Sequence, residues 1–218
     1  MVAAAKAAPG AVSFGTPGNG TVAHLAAESM QKTAGIKLPH VKLAGPAFTV
    51  EVRPGDNLMI HAALALAKPG DVLVIDGKGD QGSALMGTIM MTACQQLGLA
   101  GVVLDGAVRD SLEIDEMDYP VFSVGTNPNG PAKQVGGRIG HPVSCGGVTV
   151  HPGDFIIAEC DGVAVVEREK IESLLPPAAH EVEAEAKRIA QIKQGNTSAA
   201  WLIPSLVAAG VLKAGETL

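Results

Sequence analysis

An α/β fold is predicted by three features of this 218-residue chain. The apolar run VLVIDG at 72–77 is followed by a helix-like stretch and then by a second apolar run, GVVLDG at 101–106. Strand, helix, strand in about 35 residues is the pattern of a parallel crossover unit. The second run is almost continuously apolar, as a strand covered on both faces must be. Pro-Gly-Asp at 54–56 and again at 69–71 marks turns where the chain reverses between such elements.

The elements follow in order. TVAHLAAESMQ at 21–31 has the spacing of a short amphipathic helix. VKLAGPAFTVEV at 41–52 is a strand with a bend or bulge at Gly45–Pro46. Asp56 stands where a helix cap is needed, before the helix 57–67. The strand 72–77 leads into a polar, glycine-rich loop, KGDQGS, and then a helix from about Met86 to Leu97. After the strand at 101–106, PVFSVG at 120–125 is another. The segment 146–166 divides into three short strands at its His-Pro-Gly-Asp and Cys-Asp-Gly breaks. From Arg168 the composition shifts: REKIESLL stops at Pro176–Pro177, and 180–195 is a charged, exposed helix ending at Gly195. The apolar tail WLIPSLVAAGVL carries the one Trp and is expected to pack on the body or on a neighbouring subunit. Nothing between 35 and 170 resembles a linker, so a single domain is expected.

Composition narrows the function. Hydrophobic residues make up 47% of the chain and aromatics 3%, so the core is aliphatic. The formal net charge is −6, and no basic stripe or aromatic-interleaved Lys/Arg patch appears, which argues against nucleic acid as a partner. Cys94, Cys145 and Cys160 lie far apart without CxxC spacing, as reduced thiols in a cytoplasmic protein do. No stretch has the ~18 unbroken apolar residues of a membrane span, and no segment has the form of a signal peptide.

Chemistry in α/β proteins gathers where strands end and helices begin. Arg109 and Asp110 stand side by side after the second strand of the crossover unit. They are either an ordinary surface ion pair or a fixed cation and a fixed carboxylate. In the second case the planar Arg fork suits a carboxylate or enolate, and Asp is a hard ligand for Mg²⁺ or Mn²⁺. The helix opening at Gly87, Thr88, Ile89 and Met90 leaves backbone N–H groups that favour an anion, unless Gly87 merely eases packing. His61 is expected to be a packed histidine, and Cys145 has no base near it in sequence. Neither a P-loop nor a GxGxxG motif is present.

Five segments, PGDNLMIHAALALAKPGDVLVIDG, GTIM, LAGVVLDGAVRD, PVSCGGVTVHPGD and DGVAVV, occur in an order that resembles the RraA-like family. That family includes metal-dependent 4-hydroxy-4-methyl-2-oxoglutarate and 4-carboxy-4-hydroxy-2-oxoadipate aldolases. The resemblance covers roughly residues 40–200. It implies a swivelling β/β/α fold over 1–218, with a C-terminal helical arm from about 168 packing on a neighbouring subunit of a homotrimer or homohexamer.

It also implies a class II pyruvate aldolase and oxaloacetate decarboxylase acting on small 2-oxoacids. Gly87, Thr88, Ile89 and Met90 would line the pyruvate moiety, Arg109 would hold the enolate, and Asp110 would hold the metal. A Glu from a neighbour's C-terminal helix would reach the metal's waters. Glu185 matches best by its distance from Gly195, with Glu181 and Glu183 open because the register is not fixed. The chain departs from many aldolases at Thr88, where they carry Asp or Glu. If that acid is the base, then Asp76, Asp80, Asp105 or the neighbour's Glu185 must replace it. The alternative is a non-catalytic regulator that binds a ribonuclease by protein contact.

Overall fold

The computed structural model describes residues 43–159 and 161–218; the helix expected at 21–31 and Cys160 lie outside them. In chain order the elements are β1 (Leu43–Glu51), α1 (Leu58–Leu64), β2 (Val72–Met86), α2 (Thr88–Gln96), β3 (Gly101–Val108), α3 (Ser111–Glu116) and β4 (Val121–Thr126). The short strands β5 (Arg138–Ile139), β6 (Val143–Cys145), β7 (Val148–Val150), β8 (Phe155–Glu159) and β9 (Gly162–Val166) follow. After a 3₁₀ turn at Arg168–Lys170 come α4 (Ile171–Lys193) and α5 (Leu202–Ala208). The chain divides into two compact units between Leu175 and Pro176.

In the first unit β4, β3, β2 and β1 are parallel neighbours, as the crossover pattern predicts. β8 and β9 continue beyond β1 antiparallel, and β5 pairs with the last two residues of β1. Pro46 sits where β1 changes partners: pairing with β8 ends there, and pairing with β2 begins at Ala47. A residue without an N–H is tolerated at such a junction. Gly45 beside it has no room for a side chain, since a Cβ would stand 2.5 Å from the Gly70 carbonyl.

Alternation along the strands sends side chains to two cores. Leu73, Ile75, Val102 and Leu104 pack with Ile60, Met91 and Cys94 of the helices. Val72, Val74 and Val103 pack on the other face with Val143 and Val150 of the β6–β7 hairpin and with Ile156 of β8. The result is the expected β/β/α layering. Fully burying one such side chain is worth about 1.5–3 kcal/mol, so the strand ends that carry the site rest on a rigid base.

Several expectations are corrected. KGDQGS is not a plain loop: β2 continues through it and resumes pairing with β3 at Asp80, Ala84 and Met86. Twice, four residues of β2 advance against one of β3, and Lys78 and Gly79 take left-handed φ values of 61° and 67° in the first excursion. Bulging of this kind hides the period-2 pattern that sequence reading needs. Pro176 and Pro177 do not stop a helix either, because α4 runs through both. Proline holds φ near the helical value, so two N–H donors are lost without the chain being forced out of the helix. His61 is exposed on α1, since Ile60 and Ala63 take the buried face.

Asn57, not Asp56, is the N-cap of α1; Asp56 stands one residue earlier, where its Oδ1 still accepts the Leu58 N–H at 2.9 Å. In the second unit the charged part of α4 is exposed, as predicted. Gly195 takes φ 93° after it, and the Arg188 guanidinium donates to the carbonyls of Asn196, Thr197 and Ser198. Trp201 in the tail is 67% exposed. Among the described residues no helix is long and apolar enough to cross a membrane.

Candidate active site

β2 and β3 end level with each other, Met86 paired with Val108. Each chain then turns into a helix, through Gly87 into α2 and through Arg109–Asp110 into α3. The Arg109 N–H donates to the Met86 carbonyl at 3.0 Å and ties the two turns together. Asp110 adopts the left-handed region, φ 58° and ψ 39°, which Asp tolerates better than most residues. This conformation turns its carboxylate away from its own helix and toward α2. The Thr88 N–H donates to Asp110 Oδ2 at 3.1 Å, and Arg109 Nε lies 3.6 Å from the same oxygen.

Gly87 is required by this approach. A Cβ there would stand 2.5 Å from Asp110 Oδ2 and 2.9 Å from Arg109 Nε. The predicted Gly87, Thr88, Arg109 and Asp110 therefore converge, with Ile89 and Met90 on the first turn of α2.

Several polar groups at this junction remain unused. Among the described residues, nothing accepts from the Ile89 N–H, and the buried Thr88 hydroxyl has no partner. Asp110 Oδ1 is free, and the Arg109 and Asp110 side chains are a little over one-third exposed. One cation, one carboxylate and a helix N-terminus thus stand together, partly exposed, an arrangement suited to a small anion.

The remaining predicted residues behave differently. Asp76 is buried and fully engaged by the Lys78 backbone N–H at 3.1 Å, Lys78 Nζ at 2.7 Å and the Ser144 N–H at 3.3 Å. Asp80 accepts the Gly82 N–H within the β2 excursion. Asp105 lines an apolar cavity of about 470 Å³ with Cys145 and Phe122 on the hairpin side of the sheet. Burial, with the charges of Asp105 and Asp76 behind it, pushes the Cys145 thiol up to about 12, so it stays protonated at neutral pH. Glu185 lies on α4 in the second unit, exposed and without a partner among the described residues, as is Glu181. Glu183 instead pairs with Lys187 at 2.7 Å, which holds its carboxyl below the usual range.

Sequence reading missed two features. Asn57 is buried and donates from Nδ2 to the Leu85 carbonyl at 2.8 Å and to Met90 Sδ at 3.4 Å, behind the opening of α2. The segment 127–131 connects β4 toward β5, and Gly130 lies against the Arg109 guanidinium. The available signal was its punctuation, Asn-Pro-Asn-Gly-Pro, which marks a constrained turn but does not say what the turn covers.

The donor set can be tested against a divalent cation. No group of three His, Cys, Asp or Glu that could cage an ion occurs among the described residues. Asp110 offers one carboxylate oxygen, Oδ1, that no described residue uses. That fits a hard cation such as Mg²⁺, which keeps most of its waters and needs few protein ligands.

Fold and site define a β/β/α protein with Arg109, Asp110 and the opening of α2 gathered at one pair of strand ends. The chain belongs to the RraA-like family: the family model described as Aldolase/RraA matches residues 21–165. A Halalkalibacterium halodurans protein is 42% identical over 137 residues, 63% of this chain and 65% of its own length, so less than two thirds of that relative is spanned. Its name marks it provisionally as a 4-hydroxy-4-methyl-2-oxoglutarate aldolase.

Among solved structures, one from Geobacillus kaustophilus, described as an S-adenosylmethionine:2-dimethylmenaquinone methyltransferase, is 38% identical with a TM-score of 0.55. It covers 58% of this chain and 78% of that one. Streptomyces coelicolor RraAS2, described as an unusual member of the RNase ES inhibitor RraA family, is 31% identical with a TM-score of 0.61, covering 68% and 78%. One fold carries three names, so the site has to decide the chemistry.

Proposed function

We propose that this chain is a metal-dependent carbon–carbon lyase that cleaves small 2-oxoacids and releases pyruvate. The observation that carries the reading is the junction of Arg109, Asp110 and the α2 N-terminus, where three complementary groups are left unsatisfied around one opening. The free Ile89 N–H receives an oxygen of the substrate's 1-carboxylate, favoured by the positive end of the helix. The Arg109 fork holds the oxygen at C2. Asp110 would hold a divalent cation, which when bound would supply Lewis-acid polarisation of the carbonyl.

In oxaloacetate the C3–C4 bond breaks, CO₂ leaves, and the electron pair moves through C3 onto the C2 oxygen. Arg109 stabilises the enolate that forms, and C3 then takes a proton from solvent to give pyruvate. Aldol cleavage differs by one step, because a base must first remove the proton of the C4 hydroxyl. Thr88 cannot accept that proton as a carboxylate does, and Asp76 is already saturated. Decarboxylation is therefore the reaction these residues serve best.

The test is pyruvate release from oxaloacetate and from a panel of 4-hydroxy-2-oxoacids, with Mg²⁺ and with EDTA. Metal-dependent release from oxaloacetate supports the reading, and no release from any substrate overturns it. A second reading, protein-contact regulation of a ribonuclease, draws on the Streptomyces relative, which is described as belonging to a ribonuclease-inhibitor family. It also draws on Ile89 and Leu112, which are 80% and 78% exposed on the first turns of α2 and α3. Under that reading Arg109→Lys has no effect on binding, while Ile89→Asp abolishes it.

A further inference from the structure

We propose that the β4–β5 connection is a built wall that aims Arg109, with Gly130 and Asn129 as its positioning residues. The proposal rests on the reading of Arg109 as the substrate's cationic anchor. Arg109 itself is held at its backbone, by the bond to Met86, while its side chain is over one-third exposed. A long exposed side chain needs a surface to lie against if its fork is to point one way.

Residues 127–130 provide that surface. A Cβ on Gly130 would stand 3.3 Å from Arg109 Nη1, so the guanidinium lies close to this backbone; a methyl group there makes it give by a few tenths of an ångström, and a larger side chain by more. No left-handed φ requires glycine at 130. The one close neighbour of a Cβ there is the guanidinium.

The wall is fixed in turn to the β2 excursion. Asn129 donates from Nδ2 to the Gly82 carbonyl at 3.3 Å and accepts the Ala84 N–H on its own carbonyl at 2.9 Å. Asn127 donates from Nδ2 to the Gln81 carbonyl at 2.7 Å, and its N–H reaches the Val108 carbonyl at 2.9 Å, one residue before Arg109. The bulges that lengthen β2 thus have a use: they bring carbonyls within reach of two asparagines that hold the wall beside Arg109.

The test is titration with oxalate, a planar dianion with the charge of a pyruvate enolate, in the presence of Mg²⁺. Wild type, Gly130→Ala, Gly130→Val and Asn129→Ala are each compared alone and on an Arg109→Ala background. We expect oxalate affinity to fall about threefold with Ala at 130 and more than about tenfold with Val, graded with size, at an unchanged melting temperature. Neither substitution should weaken binding further once Arg109 is gone, because the effect passes through that side chain. Losses that add to that of Arg109→Ala, or no loss with Val, overturn the proposal. If wild type does not bind oxalate, the lyase reading fails, and the rate of Arg109 modification by phenylglyoxal still decides the wall. That rate, followed by peptide mass spectrometry, rises in Asn129→Ala and changes in Gly130→Val if the wall aims Arg109; equal rates overturn it.

Discussion

Two charged clusters stand along the parallel strands, and they differ in how completely their charges are used. Where β1 ends and β2 enters its first bulge, Glu51 accepts from both Lys78 and Arg138, and Lys78 also reaches the buried Asp76. The Asp76 hydrogen bonds hold the Lys78 ammonium above its usual range, and Lys78 holds the Glu51 carboxyl below its own. Every charge there has a partner. At the ends of β2 and β3, Arg109 and Asp110 touch only loosely, while an amide, a hydroxyl and a carboxylate oxygen are left over. Buried polar groups are normally satisfied, and the Thr88 hydroxyl is not, which supports the proposal that the second cluster receives a ligand. Charge density alone does not distinguish them; unused valence does.

The sharpest way to break this contrast is Asp110→Ala. Metal-dependent pyruvate release should fall by more than about 10²-fold with the melting temperature unchanged, and equal activity with equal Mg²⁺ affinity would remove Asp110 from the site. Arg109→Lys keeps the charge and loses the fork. A drop of about 10²–10³ in kcat/KM is expected, and a drop smaller than about fivefold would place Arg109 among the surface ion pairs. Gly87→Ala places a Cβ against Asp110 and Arg109 together. Misplacing them by part of an ångström is expected to lower kcat by up to about 10²-fold, which steady-state kinetics on oxaloacetate would read directly.

Thr88→Asp sharpens the contrast differently. General-base assistance is worth about 10²–10⁴, so aldol turnover should rise relative to decarboxylation. If the ratio does not move, another residue is the base.

The smallest effect belongs to the saturated cluster. Glu51→Gln should leave turnover within about twofold and lower Tm by about 2–4 °C, the shift that about 1 kcal/mol gives in a chain of this size. Because the Glu51 carboxyl is held low in the folded state, its contribution is fully present above the unfolded value near 4.5 and is lost as pH falls through the folded one. The variant's deficit in Tm should therefore be constant from pH 7 to about 5 and vanish in more acid solution. Asp56, held low mainly by the Leu58 N–H, loses its contribution in the same direction. A deficit that grows on acidification would contradict the pairing.

Much of this was legible along the chain. The crossover unit, the Asp56 carboxylate at the start of α1, the glycine at the opening of α2 and the Arg109–Asp110 pair are local signals, each contained in a few consecutive residues. What was not legible has a common cause. The continuation of β2 depends on pairing with β3 across two bulges, and the passage of α4 through Pro176 and Pro177 runs against propensity.

The sequence by itself determined the layering, because apolar runs and their alternation specify which faces must be covered, and it determined which residue types stand at the strand ends. Only the tertiary structure decided which of them are free to act. Asp76, inside β2, and Asp110, just past the end of β3, are the same residue type, yet one is surrounded by Lys78 and two backbone amides, while the other keeps an oxygen that no described residue uses beside Arg109. Part of that difference is made by a partner far away in sequence, the Ser144 N–H that reaches Asp76. Hydrogen bonds are satisfied in space, not along the chain, so no local pattern can report which group has been left without one.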